Sequence, residues 1–439
     1  MEEARKSLRQ LFVPICLETL CFMLVGTVDT LMLSTVNNEA VGAVGTANTY
    51  ISIFIIMFSV ISTGVLAVMT QYIGAGKKGI AYQARQLGLL FNAVIGIMLS
   101  IFLFFWADVV LDIIGIAKVL KEPAAVYLRI VGGASILNAL ISVLSGYLRA
   151  FGHTKYTLLA TIVGNVVNIV LNAVFLFGFH MGVQGVAIAT VVSRVANLAI
   201  VMYTSHKKIH AKEDEARIEN RKILSQIIKV GLPSALETAQ YNIAVMLITR
   251  FLNQMDVDGV NITARSYAIQ ISNFSYCVGA ALAQANAIMT GWSLGAKEYD
   301  RCNKDTRKAA VLGIGVAVAF ALVFAVTAPW IMRMFTDDPT MISLVQKLLF
   351  IDIILEIGRV TNLVYGSALK ASGDALFTTI LAFVFMFLCA VGGTYFFGIR
   401  LGLLVIGAYI GLTLDECVRA LGMMLRWRQG KWKMKNLIV

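Results

Sequence analysis

The chain has 439 residues, of which 58% are hydrophobic and 14% charged, with a formal net charge of +12. That much apolar surface exceeds what a soluble core can hide, so lipid is the solvent the composition calls for. The positive charge does not mark a nucleic-acid partner, because the basic residues recur at alternate connections instead of forming one patch.

Crossing a bilayer takes about 20 apolar residues. Twelve such runs follow one another at 11–34, 44–71, 84–106, 124–148, 156–178, 184–204, 226–252, 264–290, 309–334, 341–369, 376–398 and 401–425. The first is followed directly by the second and lacks a cleavage-site pattern, so it reads as span 1, not a removable signal. Basic residues begin the chain (Arg5, Lys6, Arg9) and follow the even-numbered spans. The richest cluster, Lys207, Lys208, Lys212, Arg217, Arg221 and Lys222, follows span 6, and Arg426, Arg428, Lys431, Lys433 and Lys435 close the chain. Odd-numbered connections such as Val36-Asn37-Asn38-Glu39 and Gly178-Phe179-His180-Met181 are short and nearly uncharged. The positive-inside rule then predicts a multi-pass membrane protein with both termini in the cytoplasm.

The sequence repeats itself at about 220 residues, a period far longer than one helix. Pro14-Ile15-Cys16-Leu17-Glu18-Thr19 recurs as Pro233-Ser234-Ala235-Leu236-Glu237-Thr238. The end of span 2, Gly74-Ala75-Gly76-Lys77, is echoed by Gly295-Ala296-Lys297 after span 8. Leu148-Arg149-Ala150-Phe151-Gly152-His153 after span 4 is echoed by Leu369-Lys370-Ala371-Ser372-Gly373-Asp374 after span 10. Six spans per repeat give both halves the same orientation. The expected fold is an all-α polytopic membrane protein of twelve transmembrane helices, in two six-helix lobes related by a pseudo-two-fold axis along the membrane normal. Its divisions are an N-lobe at 1–204, a cytoplasmic linker at 205–225, a C-lobe at 226–426 and a basic cytoplasmic tail at 427–439.

These motifs, with Val28-Asp29-Thr30, Asn168-Ile169-Val170-Leu171-Asn172, Gly185-Val186-Ala187-Ile188-Ala189-Thr190 and Leu355-Glu356-Ile357-Gly358-Arg359, resemble the MATE (multidrug and toxic compound extrusion) family along the whole chain. The resemblance implies two lobes around a central cavity and export of amphipathic organic cations against H+ or Na+. It also implies a cation or proton site in the amino-terminal lobe, carried here by Asp29, Asn168, Asn172 and Thr190. Position 172 departs from the family pattern, which has aspartate there. Oxygen ligands remain, and coupling through Asp29 alone becomes an option.

Ionisable residues inside spans are costly and usually functional. Glu18 and Asp29 share one face of span 1, about three turns apart. Asn165, Asn168 and Asn172 form a stripe on span 5, which serves either as interhelical glue or as part of a site. Asp29, Asn168 and Asn172 correspond in the second half to Ile248, Cys389 and Gly393, so the cluster belongs to the first half alone. In the second half Glu237 lies in span 7, with Glu356 and Arg359 one turn apart in span 10. Glu356 and Arg359 read either as a mutual neutraliser or, by the family resemblance, Glu237 and Glu356 as a carboxylate pair for sodium. Arg194, near the end of span 6, and Asp415, Glu416 and Arg419 in span 12 read as charge pairs near the cytoplasmic face. Tyr241, Tyr267, Tyr276, Tyr365 and Trp292 are candidates for cation–π contact with substrate.

The six cysteines show no CxxC pairing, and the four histidines (His153, His180, His206, His210) lie in connections without a metal-binding spacing. There is no GxxxxGK[ST] phosphate loop and no GxSxG or HExxH motif, so neither an ATP-driven pump nor a hydrolase is indicated. The expectation is therefore a non-enzymatic transporter, monomeric, without cofactor or resident metal, whose partners are organic cations and membrane lipids. A lipid-linked oligosaccharide flippase of the same architecture is the alternative. A major-facilitator porter is a more distant one, since Gly74-Ala75-Gly76-Lys77-Lys78-Gly79 lacks that family's basic loop.

Overall fold

A computed structural model describes residues 6–35, 38–114, 116–209, 217–255 and 259–438. The sequence readings on Arg5, Val36, Asn37, His210 and Lys212 fall outside them. Within those residues all regular structure is helical, as expected where lipid leaves each segment to satisfy its own backbone polar groups.

The helices are α1 (Leu8–Ser34), α2 (Asn38–Gly74), α3 (Lys78–Phe105), α4 (Ala107–Ile114), α5 (Lys118–Tyr127), α6 (Ser135–Ala150), α7 (Thr154–Ala173) and α8 (Gly182–Lys208). There follow α9 (Asn220–Met255), α10 (Val260–Gly295), α11 (Tyr299–Met332), α12 (Pro339–Ser372), α13 (Ala375–Phe385) and α14 (Leu404–Arg428). Wide π turns prolong α5 over Leu128–Gly132, α7 over Val174–Gly178 and α13 over Met386–Val391 and Thr394–Arg400. Seven helical stretches are long and apolar enough to cross a membrane, and an eighth is the pair spanning Lys118–Gly132 and Ser135–Ala150, bent by 44°. Helices α9, α10, α12 and α14 are long enough too but carry more polar side chains. Together they make twelve spans among the described residues. The short helix α4 is an addition that the apolar runs did not reveal.

Packing divides the chain into two units, Met1–Leu232 and Pro233–Val439. Helix α9 starts inside the stretch read as a linker, and its first turns pack on the first unit. There Gln226 Nε2 donates to the Tyr72 hydroxyl at 3.3 Å, and Gln83 Nε2 donates to Asn220 Oδ1 at 2.6 Å and to the Ile218 carbonyl at 2.7 Å. The core of the first unit gathers Leu33, Phe58, Leu103, Leu111 and Leu128. That of the second gathers Ile248, Leu252, Met332, Leu348 and Tyr409.

The repeated motifs are helix C-caps. After α6, Gly152 N donates to Arg149 O and His153 N to Leu148 O, both at 2.8 Å. After α12, Gly373 N donates to Lys370 O at 3.0 Å and Asp374 N to Leu369 O at 2.9 Å. This paired pattern satisfies the last carbonyls and needs one residue in the left-handed region. Gly152 (φ 75°) and Gly373 (φ 95°) supply it, as Gly76 (φ 78°) does after α2. After α10 the same place falls to Lys297 (φ 61°), whose side chain makes that backbone strained.

A Cβ on Gly373 would sit 2.6 Å from Lys435 O and 2.9 Å from Leu437 Cδ2. Gly373→Ala should therefore lower stability by about 1–3 kcal/mol, whereas Lys297→Gly should raise it by about 1 kcal/mol. Unfolding midpoints of purified protein in detergent check both, and unchanged midpoints would refute the cap assignment.

Candidate functional site

Both Pro-x-x-x-Glu motifs form buried clasps. A proline inside a helix cannot bond the carbonyl four residues back. In α1 the carbonyl that Pro14 leaves free, Gln10 O, accepts from Thr154 Oγ1 at 3.4 Å. One turn on, Glu18 accepts from Arg149 Nη2 and from Thr157 Oγ1, each at 2.7 Å. The second unit repeats this: Glu237 accepts from Lys370 Nζ at 2.9 Å and Thr378 Oγ1 at 3.2 Å, while Thr379 Oγ1 donates to Pro233 O at 2.7 Å. The Pro-x-x-x-Glu motif and the C-cap motif thus bind each other in each unit. Glu237 is thus held by Lys370 and Thr378, whereas Glu356 accepts from Ser275 Oγ and pairs with Arg359.

The second cluster occurs in the first unit only. Asn172 Nδ2 donates to Asp29 Oδ1 at 2.6 Å and to Asn168 Oδ1 at 3.2 Å, joining α1 to α7. Asn168 and Asn172 are buried, and Asp29 is partly so. Asn165 Nδ2 instead bonds the Cys21 carbonyl at 2.8 Å, which is interhelical glue. The Thr190 hydroxyl donates to Val186 O at 2.8 Å, leaving its oxygen lone pairs to other partners. Two more groups lie toward this cluster: Tyr127, which sequence reasoning overlooked, and Arg194, which it read as a charge pair near the cytoplasmic face. The buried Tyr127, at the end of α5, lies near Thr190 and Asn48. Arg194 lies near the middle of α8, one turn beyond Thr190, and interacts electrostatically with Asp29 and Tyr127. Its sequence reading as an end-of-span residue needs correction, because residue 194 lies midway along both the 184–204 run and α8. The Thr190–Arg194 spacing, which puts both on one helix face, was the signal available.

The corresponding positions of the second unit are packed. Ile248 is buried, and a Cβ on Gly393 would meet Gly411 Cα at 2.8 Å. That unit has a different polar network on α10, α12 and α14. Ser272 Oγ donates to Asp352 Oδ2 at 2.7 Å and Ser275 Oγ to Glu356 Oε2 at 3.1 Å. Arg359 pairs with Glu356 on its own helix and reaches Glu416 on α14 at 4.0 Å. Asn362 Nδ2 donates to Glu416 Oε2 at 2.9 Å. Arg419 holds Asp415 through two bonds of 2.8 and 2.6 Å and Glu416 at 3.0 Å. The pairing read for Arg359 and for span 12 is therefore present, but as one network of four carboxylates and two guanidinium groups. Asp352 was missed, although Asp352, Glu356 and Arg359 recur at helical spacing.

Among the aromatic candidates, Tyr365 and Trp292 are buried, with Tyr365 packed on Trp427 at 6.3 Å. Tyr267 lies against Phe335 at 5.7 Å. Tyr241 and Tyr276 are exposed, and Arg359 lies 5.9 Å from the Tyr276 ring centroid.

Twelve helices long enough to span, with most of their buried charges paired inside each unit, define a multi-pass membrane protein. The family profile described as MatE matches residues 14–174 and 233–396, one stretch in each repeat. The chain belongs to the MATE family. It is 33% identical over 437 residues to the YisQ protein of Bacillus subtilis (strain 168), described as an uncharacterised transporter, covering 98% of this chain and 96% of that protein. It is 23% identical to a probable multidrug resistance protein NorM of Thermotoga maritima, covering 99% of this chain and 95% of the relative. A solved outward-facing multidrug resistance MATE family transporter of the MOP superfamily has the same fold, with a TM-score of 0.89 at 21% identity over 98% of this chain and 96% of that one.

The clasp predicts a non-additive mutant pair. Arg149→Ala leaves a buried carboxylate without its cation and should destabilise by about 3 kcal/mol, whereas adding Glu18→Gln should recover at least about half of that. Thermal unfolding of the three variants measures the coupling, and strictly additive losses would contradict the clasp.

Proposed function

We propose that this chain exports amphipathic organic cations in exchange for inward H+ or Na+, by alternating access. The observation that carries this reading is the position of Asp29. An acid within an apolar span is bonded to an asparagine stripe in one repeat, while the matching positions of the other repeat are apolar or glycine. An architectural role shared by both halves would have left a counterpart, as Glu18 has in Glu237.

The chemistry follows from charge. An anionic Asp29 attracts the amide of Asn172 and the charge of Arg194, holding α1 against α7. Neutralising that carboxylate, by a proton or a bound cation, removes the attraction and favours another packing of α1. A substrate that binds one packing better than the other is thereby coupled to the ion, reciprocally. Tyr241 and Tyr276 offer exposed aromatic faces to an organic cation. We place the protein as a monomer in a bacterial inner membrane, both termini cytoplasmic, among its lipids. Membership of the MATE family argues against a major-facilitator porter. A flippase reading has less support, because Arg194, Arg359 and Arg419 face carboxylates that compete with any phosphate.

The test is ethidium efflux from cells lacking other exporters. Asp29→Asn should reduce efflux to background with normal amounts of protein in the membrane, whereas Asn165→Ala should retain most of it. Efflux at the parental level from Asp29→Asn would remove Asp29 as the coupling acid.

A further inference from the structure

Helix α11 carries an exposed face that changes character along its length. Its first turns present Asn303, Lys304, Arg307 and Lys308, and the next turn presents Val311 and Leu312. Helical spacing puts these residues on one side of the helix, where with Asp300 they line an open groove of about 670 Å³. Farther along, Phe320, Val323, Val326 and Trp330 are exposed as well. Lys308 and Trp330 lie about 33 Å apart at the rise of an α-helix, close to the ~30 Å thickness of a bilayer's hydrocarbon core. The basic end of α11 therefore meets one membrane surface and Trp330 the other. Among the described residues Lys304, Arg307 and Lys308 form no ion pair, whereas Arg301 is paired with Glu298 at 3.3 Å and with Asp305 at 3.7 Å. In the groove these three cations face only the carboxylate of Asp300. The chain's tail holds this end of α11 in place: Trp427 Nε1 donates to Asn303 Oδ1 at 3.0 Å, Trp432 stacks on Trp427 at 4.2 Å, and Lys433 Nζ lies 5.8 Å from the Tyr299 ring centroid. With Lys297 matched to Lys77, the first unit has Ala84, Leu87 and Gly88 at the places of the three cations. The repeated scaffold does not require them.

We propose that this groove is a binding site for an anionic phospholipid, whose phosphodiester is held by Lys304, Arg307 and Lys308 while its acyl chains lie along Val311, Leu312 and the apolar stripe beyond. A guanidinium grips a phosphate through two N–H groups, and the lysines add charge from either side. A free phosphate ion uses the cations alone, whereas a lipid also covers the exposed apolar residues that line the same groove. A zwitterionic lipid brings its own cation to three that are already unpaired. Each basic residue near an anionic lipid contributes about fivefold in affinity, so the three together give a preference on the order of a hundredfold. On the topology proposed above, the site lies in the cytoplasmic leaflet. The inference rests on α11 being a membrane span and is independent of what the protein exports.

Native mass spectrometry of the purified full-length protein in neutral detergent, titrated with one lipid at a time, tests this without requiring transport. The wild type should hold phosphatidylglycerol at least about tenfold more tightly than phosphatidylcholine with the same chains, and an excess of inorganic phosphate should not displace it. Lys304→Gln/Arg307→Gln/Lys308→Gln should bring phosphatidylglycerol down to the phosphatidylcholine level. Arg221→Gln/Lys222→Gln/Lys229→Gln, which removes three exposed cations from α9, should bind as the wild type does. Retention of wild-type affinity by the α11 triple variant overturns the proposal, and so does an equal loss in the α9 variant or displacement of the lipid by inorganic phosphate. Should the α11 triple variant fail to fold, Arg307→Gln decides: a loss of about fivefold is expected, and unchanged affinity overturns the proposal. Failure of ethidium export would sink the exporter reading while leaving this binding comparison intact, so the two failures are distinguishable.

Discussion

A charge placed in an apolar helix finds no water to solvate it, so the protein must supply its partner. Each polar feature of this chain can be traced to that constraint. Glu18 meets Arg149 and Thr157, Glu237 meets Lys370 and Thr378, and the acids of α12 and α14 share two arginines. In these cases the partner is close and well oriented, and the group is held. Asp29 is different. It accepts one hydrogen bond, from the Asn172 amide, and among the described residues no cation lies within ion-pairing distance of it.

Symmetry separates architecture from function here. Duplication gave both units a proline-marked helix, an acid one turn later that is buried in the first unit and partly buried in the second, and a C-cap whose basic residue reaches that acid. Such a clasp fixes the first helix of each unit against its fourth and fifth spans. Divergence then placed the Asp29 cluster in one unit and the Asp352–Arg419 network in the other.

Much of this was legible in the sequence. Apolar run length and the alternation of basic connections gave twelve spans, and the matched motifs gave two repeats. The Asp29, Asn168 and Asn172 stripe could be read from helical spacing and from its absence in the second half. Other features were hidden for physical reasons. That the two repeated motifs bind each other depends on tertiary packing across about 130 residues, which no local pattern encodes. Asp352 was overlooked because an acid among Phe350, Ile351, Ile353 and Ile354 reads as an isolated interruption until Ser272 is seen opposite it. The Tyr365 and Trp292 side chains were indistinguishable by sequence from those of Tyr241 and Tyr276, and only packing sorts buried rings from exposed ones.

The central claim is that Asp29 couples ion entry to substrate exit, as distinct from merely supporting the fold. Transport of an organic cation in proteoliposomes, with proton and sodium gradients imposed separately, tests it most directly when energised transport and equilibrium exchange are measured on the same preparation. The account predicts that the wild type concentrates substrate against its gradient and that Asp29→Asn loses this while still exchanging substrate at equilibrium. Concentrative transport that persists in Asp29→Asn would contradict it.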